Sequence, residues 1–190
     1  GVDQGRLRLL GVQDSSRFKE GILSGDSLVW EVFDNVPAKY KKFNPDEAAQ
    51  VLLGAQGELA VMAALKSSVA PDLHHKIRRV SLVSDHFGYD IESPSKFAER
   101  DQLSLEVKTT SRPGSLFKFF LSRNEYRTGL ELENWNLVFV QLADSRFNIV
   151  GHLPHKEIQA RVPKNLDSNF IWENISGTVH KNELFPGLPE

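Results

Sequence analysis

Apolar and polar residues alternate without a break through Leu103-Ser104-Leu105-Glu106-Val107-Lys108. Strand side chains have period two. Leu103, Leu105 and Val107 therefore share one face, and Ser104, Glu106 and Lys108 share the other, with Glu106 and Lys108 about 7 Å apart along the strand. A helix is predicted well before it. Asn44-Pro45-Asp46-Glu47 combines a cap residue, a proline at the first position and acids in the first turn. Ala48, Val51, Leu52, Ala55, Leu59, Met62 and Leu65 then recur at helical spacing. Residues 74–84 and 86–93 read as two strands, and residues 103–111 as a third. Arg112-Pro113-Gly114-Ser115 is a turn, residues 117–121 are a short apolar run, and Ser122-Arg123-Asn124-Glu125 is a capping box opening a helix. Residues 135–142 and 147–153 read as buried strands, and residues 154–162 as a short helix.

This pattern occupies the middle of the chain. Residues 1–43 do not follow it, although residues 26–33 make a plausible strand ended by Asp34-Asn35 and Pro37. They read as an N-terminal extension or the end of an upstream domain. Residues 44–165 form the main domain, and residues 166–190 a poorly patterned C-terminal extension. A chain of 190 residues is long enough for one well-buried core. It opens on Gly1 rather than methionine, as an expression remnant or a piece cut from a longer protein would.

Composition narrows the chemistry. With no cysteine, disulfides, thiolate metal sites and cysteine nucleophiles are excluded, and a reducing cytoplasm is the expected setting. No apolar run approaches membrane-spanning length, so no membrane partner is expected. A net charge of −2 argues against coating nucleic acid by charge alone. The distribution is uneven: residues 74–127 carry a net +3 and the remainder −5. From Lys108 to Arg127 five basic residues stand against one acid, Glu125. A polyanion would lie there, unless the cluster is an ordinary solvated surface.

Three positions carry candidate chemistry around the alternating strand. Asp90 ends Gly88-Tyr89-Asp90, sixteen residues before Glu106, and Lys108 shares the face of Glu106. Two acids and a lysine on neighbouring strands can hold a hard divalent cation and a water beside a phosphate, the chemistry of phosphodiester cleavage. The plain alternative is a solvated strand face with an ordinary ion pair. Glu58 lies at the margin of the helix's apolar stripe. Gly54 and Gly57, just before it, suggest close approach of another backbone. Glu58 then either looks into a site formed by the sheet or reaches solvent.

Taken in order, Gly54-Ala55-Gln56-Gly57-Glu58, Gly88-Tyr89-Asp90-Ile91-Glu92-Ser93, Glu106-Val107-Lys108-Thr109-Thr110 and Phe120-Leu121-Ser122-Arg123-Asn124-Glu125-Tyr126 resemble the PD-(D/E)XK nuclease superfamily. More narrowly, they resemble the branch named after the C-terminal domain of the plant protein NO VEIN, common in bacterial restriction and phage-defence proteins. The resemblance covers roughly residues 45–150, and Tyr89 stands where the superfamily's name has proline. It implies an α/β fold with a restriction-endonuclease-like core, a mixed central β-sheet flanked by helices in the order αβββαβ. It also implies that Asp90 and Glu106 are metal ligands with the Val107 carbonyl, that Glu58 completes the shell directly or through water, and that Lys108 orients or deprotonates the attacking water. The cofactor would be Mg²⁺, with Mn²⁺ as a substitute.

The remaining candidates each have two readings. His86 would contact a phosphate or be a turn histidine. Arg123 and Asn124 open a helix, where phosphates are readily held, or are ordinary helix-start residues. Arg112 and Lys118 belong to the basic stretch that would meet nucleic acid. Tyr126 braces the lysine or packs in the core. His152 and His155 lack a third partner for a zinc site. The expected function is a metal-dependent endonuclease acting on DNA in restriction or phage defence. The alternatives are an RNA nuclease and a non-catalytic nucleic-acid-binding or assembly module. Low overall basicity suggests that targeting comes from residues 1–43, a second copy in a homodimer, or a partner domain or subunit.

Overall fold

Pro45 has no amide hydrogen to lose at a first helical turn, and the apolar positions behind it recur at helical spacing, so α1 runs Pro45–Ser68. The structure is a computed structural model that describes residues 45–96, 102–162 and 173–190. The strand expected over residues 26–33, the cap at Asn44 and the N-terminal extension lie outside the described residues. After α1 come a 3-10 turn (Pro71–Lys76), β1 (Arg78–Arg79), a second 3-10 turn (Asp85–Phe87), β2 (Ile91–Pro94) and β3 (Gln102–Thr110). Then follow β4 (Leu116–Ser122), α2 (Arg123–Glu131), β5 (Trp135–Ala143), β6 (Arg146–Pro154), α3 (His155–Gln159) and β7 (Asn174–His180).

Five strands form the central sheet in the order β1-β2-β3-β5-β6. The β1–β2, β2–β3 and β5–β6 pairs are antiparallel and β3–β5 is parallel. The protein is thus α/β with a mixed central sheet and flanking helices, consistent with the expected restriction-endonuclease-like core. β3 is the middle strand, with apolar clusters on both sides of the sheet. Leu103, Leu105 and Val107 join Val138 and Val140 of β5 beneath Val61 and Leu65 of α1. The other face carries Trp135, Leu137 and Phe139, packed against Phe117, Phe119 and Leu121 of β4, Ile158 of α3 and Val179 of β7. Here β4 and β7 form their own antiparallel pair as a second layer.

Three sequence expectations change. The strand expected over residues 74–84 shrinks to Arg78–Arg79, because residues 71–76 coil into a 3-10 turn begun by Pro71. The strand expected over residues 86–93 starts only at Ile91. Gly88 takes φ +69° at the end of its 3-10 turn, a left-handed conformation incompatible with a strand. A side chain there would also strike Thr128 of α2. Finally, the weakly patterned C-terminal stretch supplies β7, which pairs with β4 along its length from Leu116↔His180 to Ser122↔Asn174.

Of the two α1 glycines, only Gly57 serves a close approach. A β-carbon on Gly57 would collide with the Thr109 side chain of β3, whereas one on Gly54 would meet nothing within 4 Å. Gly57→Ala should therefore cost about 1–3 kcal/mol through overpacking. Gly54→Ala should stabilise by about 0.5–1 kcal/mol through helix propensity alone. Urea denaturation of both variants checks the opposite signs.

Candidate active site

The β2–β3 ladder holds through Ile91↔Leu105 and then opens. The Asp90 amide donates to the Leu105 carbonyl at 2.9 Å. One step further along β3, the Asp90 carboxylate takes over, accepting the Val107 amide at 2.8 Å. A side-chain oxygen thus replaces a backbone rung. A strand residue turns its N–H and C=O to the same edge, so the Val107 carbonyl also faces the edge where Asp90 stands. This is the turn chemistry of Gly88-Tyr89-Asp90 put to use: Asp90 comes from a bend, not from within a strand.

Glu106 and Lys108 point together, as period two requires, into the layer between the sheet and β4, α2 and α3. Lys108 Nζ donates to Glu106 Oε1 at 2.6 Å. The face is not the solvated one of the plain alternative. Ser104 is 5% exposed and Glu106 is 4% exposed, because the middle strand of a layered fold is covered on both sides. Lys108 has a second acceptor, Glu125 Oε1 at 3.2 Å. Glu125 is the residue the sequence reading missed. Its signal was the capping box, which the structure contains: Ser122 Oγ accepts the Glu125 amide at 3.2 Å and Glu125 Oε2 accepts the Ser122 amide at 2.6 Å. The same carboxylate caps α2 with one oxygen and holds the lysine with the other.

Glu58 approaches from the opposite side of the sheet, because α1 packs on the Leu105–Val107 face. Its Oε2 accepts from Arg79 Nε at 2.6 Å and Ser81 Oγ at 2.7 Å. Glu58 thus lies close enough to Asp90 to raise its carboxyl, and it is ion-paired with Arg79 rather than reaching solvent. Among the described residues no group of three or more His, Asp or Glu side chains is set to hold a metal ion.

The electrostatics follow from this placement. Burial pushes the Asp90 carboxyl up, Glu58 adds to the effect, and Lys108 and the Val107 amide only partly oppose it, leaving it at about 7. Glu106 is also raised well above the carboxylate range, first by burial and next by Asp90. Burial pulls the Lys108 ammonium down, but Glu106, Glu125 and Asp90 outweigh it, so the lysine stays charged. Glu125 moves the other way: burial raises it, but Lys108 and the helix-start bonds hold it below its ordinary value.

A divalent cation fits this donor set. Asp90, Glu106 and the Val107 carbonyl offer hard oxygens, and Mg²⁺ uses one or two carboxylates while keeping several waters. Glu106, which is buried, and Asp90, which is half-buried, repel each other and share the single charge of Lys108, on which Glu125 also draws.

The expected nucleic-acid contacts are divided. His86 and Asn124 are brought together, the Asn124 side-chain amide donating to the His86 carbonyl at 3.2 Å. Arg123 opens α2, but its backbone amide already donates to the Glu173 carbonyl at 2.8 Å and Glu125's is taken by the cap, so those two amides do not await a phosphate. Arg112 is exposed in the loop after β3, where its carbonyl accepts from Gln141. Lys118 lies on the outward face of β4, its ammonium 5.0 Å from the Phe120 ring centre. Tyr126 packs in the second-layer cluster beside His155, at 5.0 Å between rings.

Two stability tests follow. An acid whose folded pKa exceeds its unfolded value binds more protons when folded, so its contribution to stability falls as pH rises from about 4 to about 7. Asp90→Asn keeps an acceptor for Val107 and removes the charge. In EDTA it should raise stability at pH 8 by on the order of 1–2 kcal/mol, a Tm gain of about 2–4 °C per kcal/mol, and by less at pH 5. Thermal melts at the two pH values check it. Lys108→Ala, by contrast, strands Glu106 in the interior and should cost about 3–5 kcal/mol, part of which Glu106→Gln restores in the double variant. Urea denaturation of the single and double variants measures this coupling.

No curated protein and no solved structure matches the chain. The family model described as Protein NO VEIN, C-terminal, matches residues 57–150. That span begins at the glycine that lets α1 meet β3 and contains Glu58, Asp90, Glu106, Lys108 and Glu125, so this part of the chain matches the NO VEIN C-terminal family.

Proposed function

We propose that the protein is a divalent-metal-dependent nuclease that hydrolyses phosphodiester bonds in DNA, with a role in restriction or phage defence. The observation that carries this reading is the repelling pair of half-buried Asp90 and buried Glu106, with Lys108 bonded to Glu106, at the point where the β2–β3 ladder opens. Asp90, Glu106 and the Val107 carbonyl would hold Mg²⁺ or Mn²⁺. The bound ion would polarise the scissile phosphate and acidify a water. Lys108, fixed by Glu106 and Glu125, keeps its proton and offers positive charge where a phosphoryl transition state gains negative charge. This favours an electrostatic and water-orienting part for Lys108 over that of a base. Glu125 acts through Lys108 as a positioning residue. The lack of cysteine suits a reducing cytoplasm, where such a nuclease would meet intracellular DNA.

A second reading also has an observation behind it. Glu58 has Arg79, Glu106 has Lys108, and Asp90 has the Val107 amide, so each acid has a protein partner without any metal. A non-catalytic nucleic-acid-binding or assembly module would need no more than this.

Cleavage decides between them. The protein is incubated with plasmid, linear and single-stranded DNA and with RNA, in Mg²⁺, Mn²⁺ or EDTA. The nuclease reading expects DNA products with either metal and none in EDTA, with Asp90→Asn slowing single-turnover cleavage by more than about 100-fold. Binding without cleavage in every condition would favour the module, and cleavage confined to RNA would make the protein an RNA nuclease. Metal affinity should also rise as pH increases toward about 7, because the cation displaces the proton held on Asp90.

A further inference from the structure

Glu58 is gripped by a segment that is itself fastened to Asp90. Arg79 pairs with Ile91 across the β1–β2 ladder. The Val80 and Ser81 amides both donate to the Asp90 carbonyl, at 2.8 and 3.2 Å. Arg79 and Ser81, on either side of Val80, reach the same oxygen of Glu58. The Arg79 and Glu58 side chains are only 9% and 13% exposed, so water and salt screen the pair weakly. Arg79 is not anchored by a complete set of bonds of its own. Among the described residues its Nη1 is buried with no hydrogen-bond partner. A buried donor left unmade is costly, and a guanidinium placed this way answers to the one carboxylate it does reach.

We propose that Arg79 is a lock on Glu58: with Ser81 it holds Glu58 Oε2 and so withholds a third carboxylate from a divalent cation bound at Asp90 and Glu106. This rests on the metal-site reading above. Arg79 is a positioning residue, because it acts through Glu58. It sets the number of protein carboxylates at the site to two, and Glu58 becomes a ligand only when the guanidinium lets go. Arg79 and Ser81 engage one oxygen of Glu58, and Glu58 lies close enough to Asp90 to raise its carboxyl.

The test is calorimetric titration of Mn²⁺ into the parent, Arg79→Met, Glu58→Gln and the double variant, with circular dichroism to verify folding. The lock predicts that Glu58→Gln alone changes Mn²⁺ affinity by less than about twofold, and that Arg79→Met tightens it by about tenfold or more. The double variant should return to the parent's affinity. An Arg79→Met protein that binds no tighter than the parent overturns the proposal. So does a loss of about tenfold in Glu58→Gln alone, which would make Glu58 a ligand already. If Arg79→Met does not fold, Ser81→Ala decides, since it loosens the same oxygen: tighter Mn²⁺ binding supports the lock and unchanged binding overturns it. Failure of the underlying site looks different. The parent and Glu106→Gln would then bind Mn²⁺ equally poorly, and the lock falls with the site.

Discussion

A carboxylate removed from water in the middle strand of a sheet must be answered by positive charge within a few ångströms, and Glu106 is the group around which this structure is arranged. α1 covers β3 on one side and β4, α2 and α3 cover it on the other, so Glu106 is left only 4% exposed. Lys108 is the nearest answer, two residues along on the same face. A half-buried ammonium needs acceptors in its turn, and Glu125 supplies one from the first turn of α2. That turn is fixed by a capping box, so the start of a helix, the charge of a lysine and the burial of a strand face depend on one another.

The same logic leaves Asp90 under-compensated. Its partner is a backbone amide, while Glu58 and Glu106 both oppose its charge. Regular sheets do not need such an arrangement: a ladder of backbone bonds past Leu105 would have satisfied Val107 without bringing an acid inside. Local departures from the most stable choice mark places where a fold carries something other than its own stability.

Much of this was legible in the chain. Strict alternation identified β3 and placed Glu106 beside Lys108, because period two is a property of the strand alone. The capping box and the Pro45 helix start were equally local. What escaped depends on layers and distant partners. A solvated polar face on β3 stayed open as an alternative because nothing in eight residues announces that β4 and β7 will cover it. The expected strand before Asp90 failed at Gly88, whose left-handed backbone packs against Thr128 of α2, forty residues away in sequence. Glu58 was placed near the site by its helix position, but its ion pair with Arg79 required knowing how β1 lies against β2. Glu125 was seen as a cap and not as a lysine partner, since a capping box has no need of one.

The pairing of β4 with β7 extends the fold past the recognisable family span, which ends at residue 150. Phe117, Phe119 and Leu121 alternate with Lys118 and Phe120 along β4, and β7 satisfies the backbone edge that this apolar strand would otherwise present. A chain trimmed to the family boundary would expose an open, sticky edge able to recruit the same strand from another molecule. The residues beyond the matched span therefore guard the chain against self-association, and the second layer can close only after residues 174–180 have been made.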